Sequence, residues 1–282
     1  MLQAVLEPAV EYGQIVRNPA TGKRRRLKPT ARRPVYLDTA EQIEVMLEAA
    51  SQLDSRPVAQ TFGRRALVAT LIFAGPRASE AAELRWGDVD LEGGRLLIRR
   101  SKTQAGLREI ILLPILREEL RAHEEIQAKT GAEAPVFPSA SGARRDKDNI
   151  RNQVVEPVVR RADELLAEHG RPPLPEGLTP HKLRHTFASV LVACGKDAMS
   201  VMAQLGHTDP KFTLRVYGHL MRRDSDERER LKALVQRGAR SESTFACVSV
   251  VSPETASQSF VAGTREDPRA IIGGYADSRH FA

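Results

Sequence analysis

Thr179-Pro180-His181-Lys182-Leu183-Arg184-His185-Thr186-Phe187-Ala188-Ser189 is the stretch on which the reading of this chain turns. Thr179 offers a hydroxyl to cap the first free N–H groups of a helix, and Pro180 suits the first turn, where its missing N–H costs nothing. On that helix His181, Arg184 and His185 stand at i, i+3 and i+4, so two imidazoles and a guanidinium share one face. A solvated polar face is one explanation of such a trio. Histidines four apart also suggest zinc, but the metalloprotease pattern requires Glu after the first His, and Lys182 stands there instead.

Working outward, Leu205-Gly206-His207-Thr208-Asp209-Pro210 precedes a further predicted helix that ends at Tyr217, setting a third histidine near a phenol. Upstream, an apolar helix over 64–74 is stopped by Gly75-Pro76, and helical patterning resumes over 79–84, so Arg77 lies at a helix–helix junction. Between 95 and 113 the pattern turns to short β-favouring runs around Gln104-Ala105-Gly106, a hairpin with Lys102 near its tip. Thr39 and Gln42 have capping-box spacing ahead of Ile43, Met46, Leu47 and Ala50. Helices are further predicted over 114–129, over 144–169 with an interruption at Pro157, and over 222–237. Trp86 reads as a core anchor.

The bulk properties narrow the partners. The chain has 282 residues, 41% hydrophobic and 28% charged, which suits a globular protein of one or two domains. Lysine and arginine number 43 against 36 acidic residues, a net charge of +7, so a polyanion is a reasonable ligand. Cys194 and Cys247 form no CxxC pair and suggest neither a disulfide framework nor a zinc knuckle. No run approaches a membrane span, and MLQAVLEPAVEYG lacks the basic start of an export signal, so a cytoplasmic protein is expected. Near the front, Lys23, Arg24, Arg25, Arg26, Lys28, Arg32 and Arg33 form a basic run that reads either as a solvated tether or as a strip of contacts to a nucleic-acid backbone.

The ordered series Arg77, Lys102, His181, Arg184, His207 and Tyr217 resembles the catalytic domain of the tyrosine recombinases, the phage-integrase family. The resemblance covers roughly 38–236 and is carried by RASE followed by LRWGDVD, by the hairpin SKTQAGLREIIL, by HKLRHTFAS and by LGHTDPKFTLRVYGHL. One departure is Pro76, where the family usually has Leu or Met. Another is at the front, where such enzymes usually carry a helical core-binding domain. The resemblance implies a mainly α fold with a small antiparallel β-sheet (α+β), the DNA breaking-rejoining catalytic fold. Its expected organisation is a remnant of a core-binding domain with a basic linker over 1–36, a catalytic domain over 37–238 and a flexible tail over 239–282. The 222–237 helix is similar to the family's segment after the tyrosine, which in many members docks on a neighbouring protomer; a solvated helix is the other reading.

The implied chemistry suits the residue types. A phenol can cut a phosphodiester and hold its energy as a tyrosyl ester for another strand to reverse, but with a pKa near 10 only about one in a thousand is ionised at pH 7. Guanidinium forks match the charge gained by the attacked phosphate, which makes Arg77 and Arg184 the expected clamp. By resemblance, His207 adds a hydrogen bond to the same oxygens, His181 accepts the Tyr217 proton and Lys102 protonates the leaving oxygen. Glu80 and His185 are expected to orient this set. No metal, cofactor or ATP is implied. The implied partners are double-stranded DNA attachment sites, three further copies of the chain in a tetramer, and DNA-bending accessory proteins. The alternatives are a DNA-binding remnant without productive recombination and, more distantly, a DNA-relaxing topoisomerase.

Overall fold

The computed structural model describes residues 2–21, 35–55, 63–99, 107–128, 130–139, 141–206 and 225–237. Helix α1 (Leu2–Glu11) has no buried residue. Asn18 closes it, its side-chain amide donating to the Gln3 carbonyl at 2.9 Å and to the Glu7 carboxylate at 2.6 Å. The Asn18 side chain also accepts from the Ala20 N–H at 2.9 Å, a local turn of the kind asparagine favours. The basic run from Lys23 to Arg33 lies outside the described residues.

Helix α2 (Ala40–Asp54) begins with the expected capping box: the Thr39 hydroxyl accepts from the Gln42 N–H, and the Gln42 side chain accepts from the Thr39 N–H. It buries Ile43, Met46, Leu47 and Ala50, the predicted face. Helix α3 (Arg64–Phe73) is buried on every side from Ala66 to Phe73, as a central helix must be. Around it pack α2, α5 (Pro114–Ile126) and, further along the chain, α8 (Pro180–Ala193). The short α4 (Ala78–Glu83) and a 3-10 turn (Trp86–Asp88) lead into the sheet. Trp86 is buried and donates its indole N–H to Gln127 at 3.2 Å, the anchoring role expected of it.

The sheet has three antiparallel strands in the order β1 (Val89–Asp90), β2 (Arg95–Ile98) and β3 (Arg108–Ile111). The predicted hairpin is β2–β3, with Leu96 opposite Ile110 and Ile98 opposite Arg108. Strand β1, only two residues long, leaves no periodicity to read. Lys102 and the turn over 100–106 lie outside the described residues.

Pro157 does not interrupt its helix, contrary to expectation. Helix α6 (Lys147–Asn149), a π turn (Ile150–Val155) and α7 (Glu156–Glu168) run on without a break. A proline inside an α-helix collides with the carbonyl four residues back and lacks the N–H to bond it. The π turn just before Pro157 moves the pairing one residue further, so that the Glu156 N–H bonds the Arg151 carbonyl, and the widened turn lets the chain pass.

Thr179 caps α8 as predicted, accepting from the Lys182 N–H. Asp197 caps α9 (Ala198–Leu205), which packs on α8 and β3 and ends at Gly206 in the left-handed region, φ +60°. The post-tyrosine segment forms α10 (Ser225–Val235), and Leu231, Leu234 and Val235 are buried against α2, α8 and α5 of the same chain. Glu227 accepts the Ala40 N–H at 2.7 Å, tying α10 to the start of α2. This apolar face is therefore not a solvated one.

Candidate active site

Arg77 owes its position to three consecutive residues. Gly75 has φ +59°, and a Cβ there would lie 2.5 Å from Cδ1 of Phe187 on α8, so both the conformation and the close approach require glycine. Pro76 cannot continue α3, and Arg77 follows in extended conformation as the first residue before α4. Glu80, one turn on, fixes it twice, accepting the Arg77 N–H at 2.8 Å and its Nη1 at 2.6 Å. The Glu80 side chain is buried, whereas that of Arg77 is 41% exposed. The guanidinium is thus held at its base and open at its side.

Arg184 comes to the same place from α8. It is 2% exposed, donating Nη1 to the Gly75 carbonyl at 2.6 Å and Nη2 to the Leu205 carbonyl. These bonds join the end of α3, two residues before Arg77, to the C-terminal end of α9, two residues before His207. Carbonyls at a helix C-terminus lack internal partners and carry partial negative charge, so a cation there is doubly favoured.

A third guanidinium, absent from the sequence reading, completes the arrangement. Arg108 on β3 is 8% exposed and donates Nε to the Gln204 carbonyl at 2.7 Å. Its Nη1 and Nη2 reach the two carboxylate oxygens of Glu80 at 3.2 and 2.9 Å. The signal was present in strand periodicity: Arg108 shares the face of Ile110, which points into the core, so the strand buries a charge that needs a partner.

The electrostatics follow from this crowding. Burial alone would raise the Glu80 carboxyl, but hydrogen bonds and charge from Arg108, together with Arg77, bring it below its ordinary value. Burial, with Arg108 and Arg77 close by, pushes the Arg184 guanidinium down to about 9, still cationic at neutral pH. His181, at the exposed start of α8, sets its ring edge-on to His185 with centroids 4.9 Å apart. Water lost from that packed side, then the charges of Arg184, Lys182 and Arg77, hold His181 below its ordinary value. Buried His185 falls to about 4, first from burial and then from His181, Lys182 and Arg184. Both rings are neutral near pH 7.

Of the residues singled out in the sequence, Arg77, Glu80, His181, Arg184 and His185 are thus brought together. The solvated-face reading of the α8 trio fails for Arg184 and His185. Lys102, His207 and Tyr217 lie outside the described residues. Among the described residues no group of three or more His, Cys, Asp or Glu side chains is placed to hold a metal ion, and no helix is long and apolar enough to cross a membrane.

The model of the family described as the phage integrase family matches residues 38–223. The tyrosine recombinase XerC of Xylella fastidiosa (strain 9a5c) is 32% identical over 216 residues, which is 75% of this chain and 64% of that protein. The chain therefore spans less than two thirds of that relative's length. Among solved structures, XerA recombinase superposes with a TM-score of 0.53 at 25% identity, covering 73% of this chain and 66% of that one. The Tn1549 transposon integrase, solved in complex with transposon right end DNA, gives a TM-score of 0.59 at 22% identity, covering 82% and 76%. The fold shared with these structures is the mainly helical one with a small antiparallel sheet.

Proposed function

Since this chain belongs to the phage integrase family, we propose that it is a site-specific DNA recombinase that cuts and rejoins strands through Tyr217. The observation that carries this reading is the meeting of Arg77, Arg108 and Arg184 around one carboxylate, Glu80, with the neutral ring of His181 beside them. Three cations against one anion leave a surplus of positive charge. The backbone phosphate of DNA, which gains negative charge on its non-bridging oxygens in the transition state, has the complementary charge and shape.

In this proposal the half-exposed Arg77 meets the phosphate first, while Arg184 uses the N–H groups it does not spend on Gly75 and Leu205. His181, neutral near pH 7, takes the phenolic proton as the Tyr217 oxygen attacks phosphorus. The bond from phosphorus to the 5′ oxygen breaks, and that oxygen takes a proton from Lys102 to leave as a hydroxyl. A 3′-phosphotyrosyl ester remains, and the 5′ hydroxyl of another strand reverses the step. One ester is exchanged for another throughout, so the chemistry needs no ATP, and the fixed cations supply the charge compensation. His207 is assigned a hydrogen bond to the phosphate, and the basic residues Lys23 to Arg33 contacts to the DNA backbone. Four copies of the chain around two duplex sites, with DNA-bending helper proteins, complete the proposed assembly.

Covalent trapping tests it. A pool of nicked duplexes with a randomised internal region is incubated with the protein, and adducts that resist detergent are recovered and sequenced. The expected result is a tyrosine-linked adduct on a recurring sequence with the wild type and none with Tyr217→Phe. Salt-sensitive gel-shift binding without any adduct would instead mark a DNA-binding protein that does not exchange strands.

A further inference from the structure

The hydrogen bonds at the site form a closed circuit. Arg108 holds both oxygens of Glu80, and Glu80 holds the backbone and side chain of Arg77. Gly75, two residues before Arg77, accepts from Arg184, whose other Nη donates to Leu205. The adjacent Gln204 carbonyl accepts from Arg108, closing the ring. Arg108 is the point where three pieces of the proposed machinery meet: the hairpin that carries Lys102, the turn that carries Arg77 and the α9 terminus that leads to His207.

We propose that Arg108 is a positioning residue for strand cleavage, setting Arg77 through Glu80 and the turn before His207 through the Gln204 carbonyl. This inference rests on the recombinase reading above. Arg108 is assigned no contact to DNA, because its Nε and both Nη atoms are engaged by groups of the protein. Only a guanidinium can serve two carboxylate oxygens and a carbonyl from one rigid plane; an ammonium carries the same charge without the fork. Because Glu80 is what holds Arg77 among the described residues, loosening Glu80 moves a guanidinium that must meet phosphorus within a fraction of an ångström.

The test separates position from stability and from charge. Wild type, Tyr217→Phe, Arg108→Lys, Arg108→Met and the double variant Arg108→Met with Glu80→Gln are compared on the trapped duplex. Single-turnover adduct formation, gel-shift affinity and urea unfolding are measured for each. Both single Arg108 variants are expected to form adduct about ten- to a hundredfold more slowly with unchanged affinity for DNA. The double variant, which removes the buried carboxylate together with its partner, is expected to regain stability while cleavage stays slow. Recovery of cleavage together with stability in the double variant would reduce Arg108 to a structural ion-pair partner and overturn the proposal. Wild-type cleavage by Arg108→Lys would do the same, since charge without the fork would then suffice. Either result leaves the recombinase reading intact so long as wild type forms adduct and Tyr217→Phe does not. Absence of adduct with wild type overturns both.

Discussion

At His181 the direction of the pH effect follows from its surroundings. The folded protein holds the imidazolium less readily than free histidine, whose value is 6.5, so the neutral ring persists below that pH. If the ring accepts the phenolic proton, adduct formation should stay level as pH falls to 6.5 and decline only beneath it. His181→Gln should be slow throughout and lack that acid limb, which a single-turnover pH series would show. His185 has a different consequence. Its folded value of about 4 lies below the unfolded 6.5, so the unfolded chain binds the extra proton. Its contribution to stability is complete above pH 6.5 and is lost as pH falls from there towards 4, about 3 kcal/mol in all. Urea unfolding at several pH values should show a steeper acid loss for wild type than for His185→Gln; equal slopes would exclude this account.

Among the elements, the junction of α3 and α4 is the most constrained. Gly75→Ala forces a Cβ into Phe187 and the left-handed region at once, and it moves the carbonyl that Arg184 holds. Loss of more than about 1 kcal/mol of stability is expected, with slowed adduct formation in the surviving folded fraction. This junction was legible in the sequence because Gly75-Pro76 is a breaker and Arg77 follows it. The caps at Thr39 and Thr179 and the buried stripe of α2 were equally legible, since each rests on chemistry within one turn of helix. Arg108 was not singled out, because its role depends on Glu80 and Gln204, far away in sequence and joined only by tertiary packing. The passage of Pro157 through an unbroken helix was missed for a similar reason: a proline in isolation signals a stop, and nothing local announces a π turn.

At the scale of the whole molecule, α10 closes the chain back on α2. Leu231 is 1% exposed, and truncating it should cost about 2–4 kcal/mol. Leu231→Ala should therefore lower the urea midpoint clearly, whereas a neutral result would mean that α10 leaves its seat in solution. Glu227→Gln tests the same seat more gently, through the bond to the Ala40 N–H.

The arginine circuit bears also on how the protein behaves when it is doing nothing. Crowding like charges into a buried ring raises the free energy of the folded chain, and any oxyanion that settles there relieves the strain by mass action. Sodium sulfate should lift the melting temperature more than sodium chloride at matched ionic strength, and Arg77→Ala should shrink that difference to the general stabilisation that sulfate gives any folded chain. Under the recombinase proposal a polyanion then acts on this chain twice, as the strand to be cut and as a brace against unfolding.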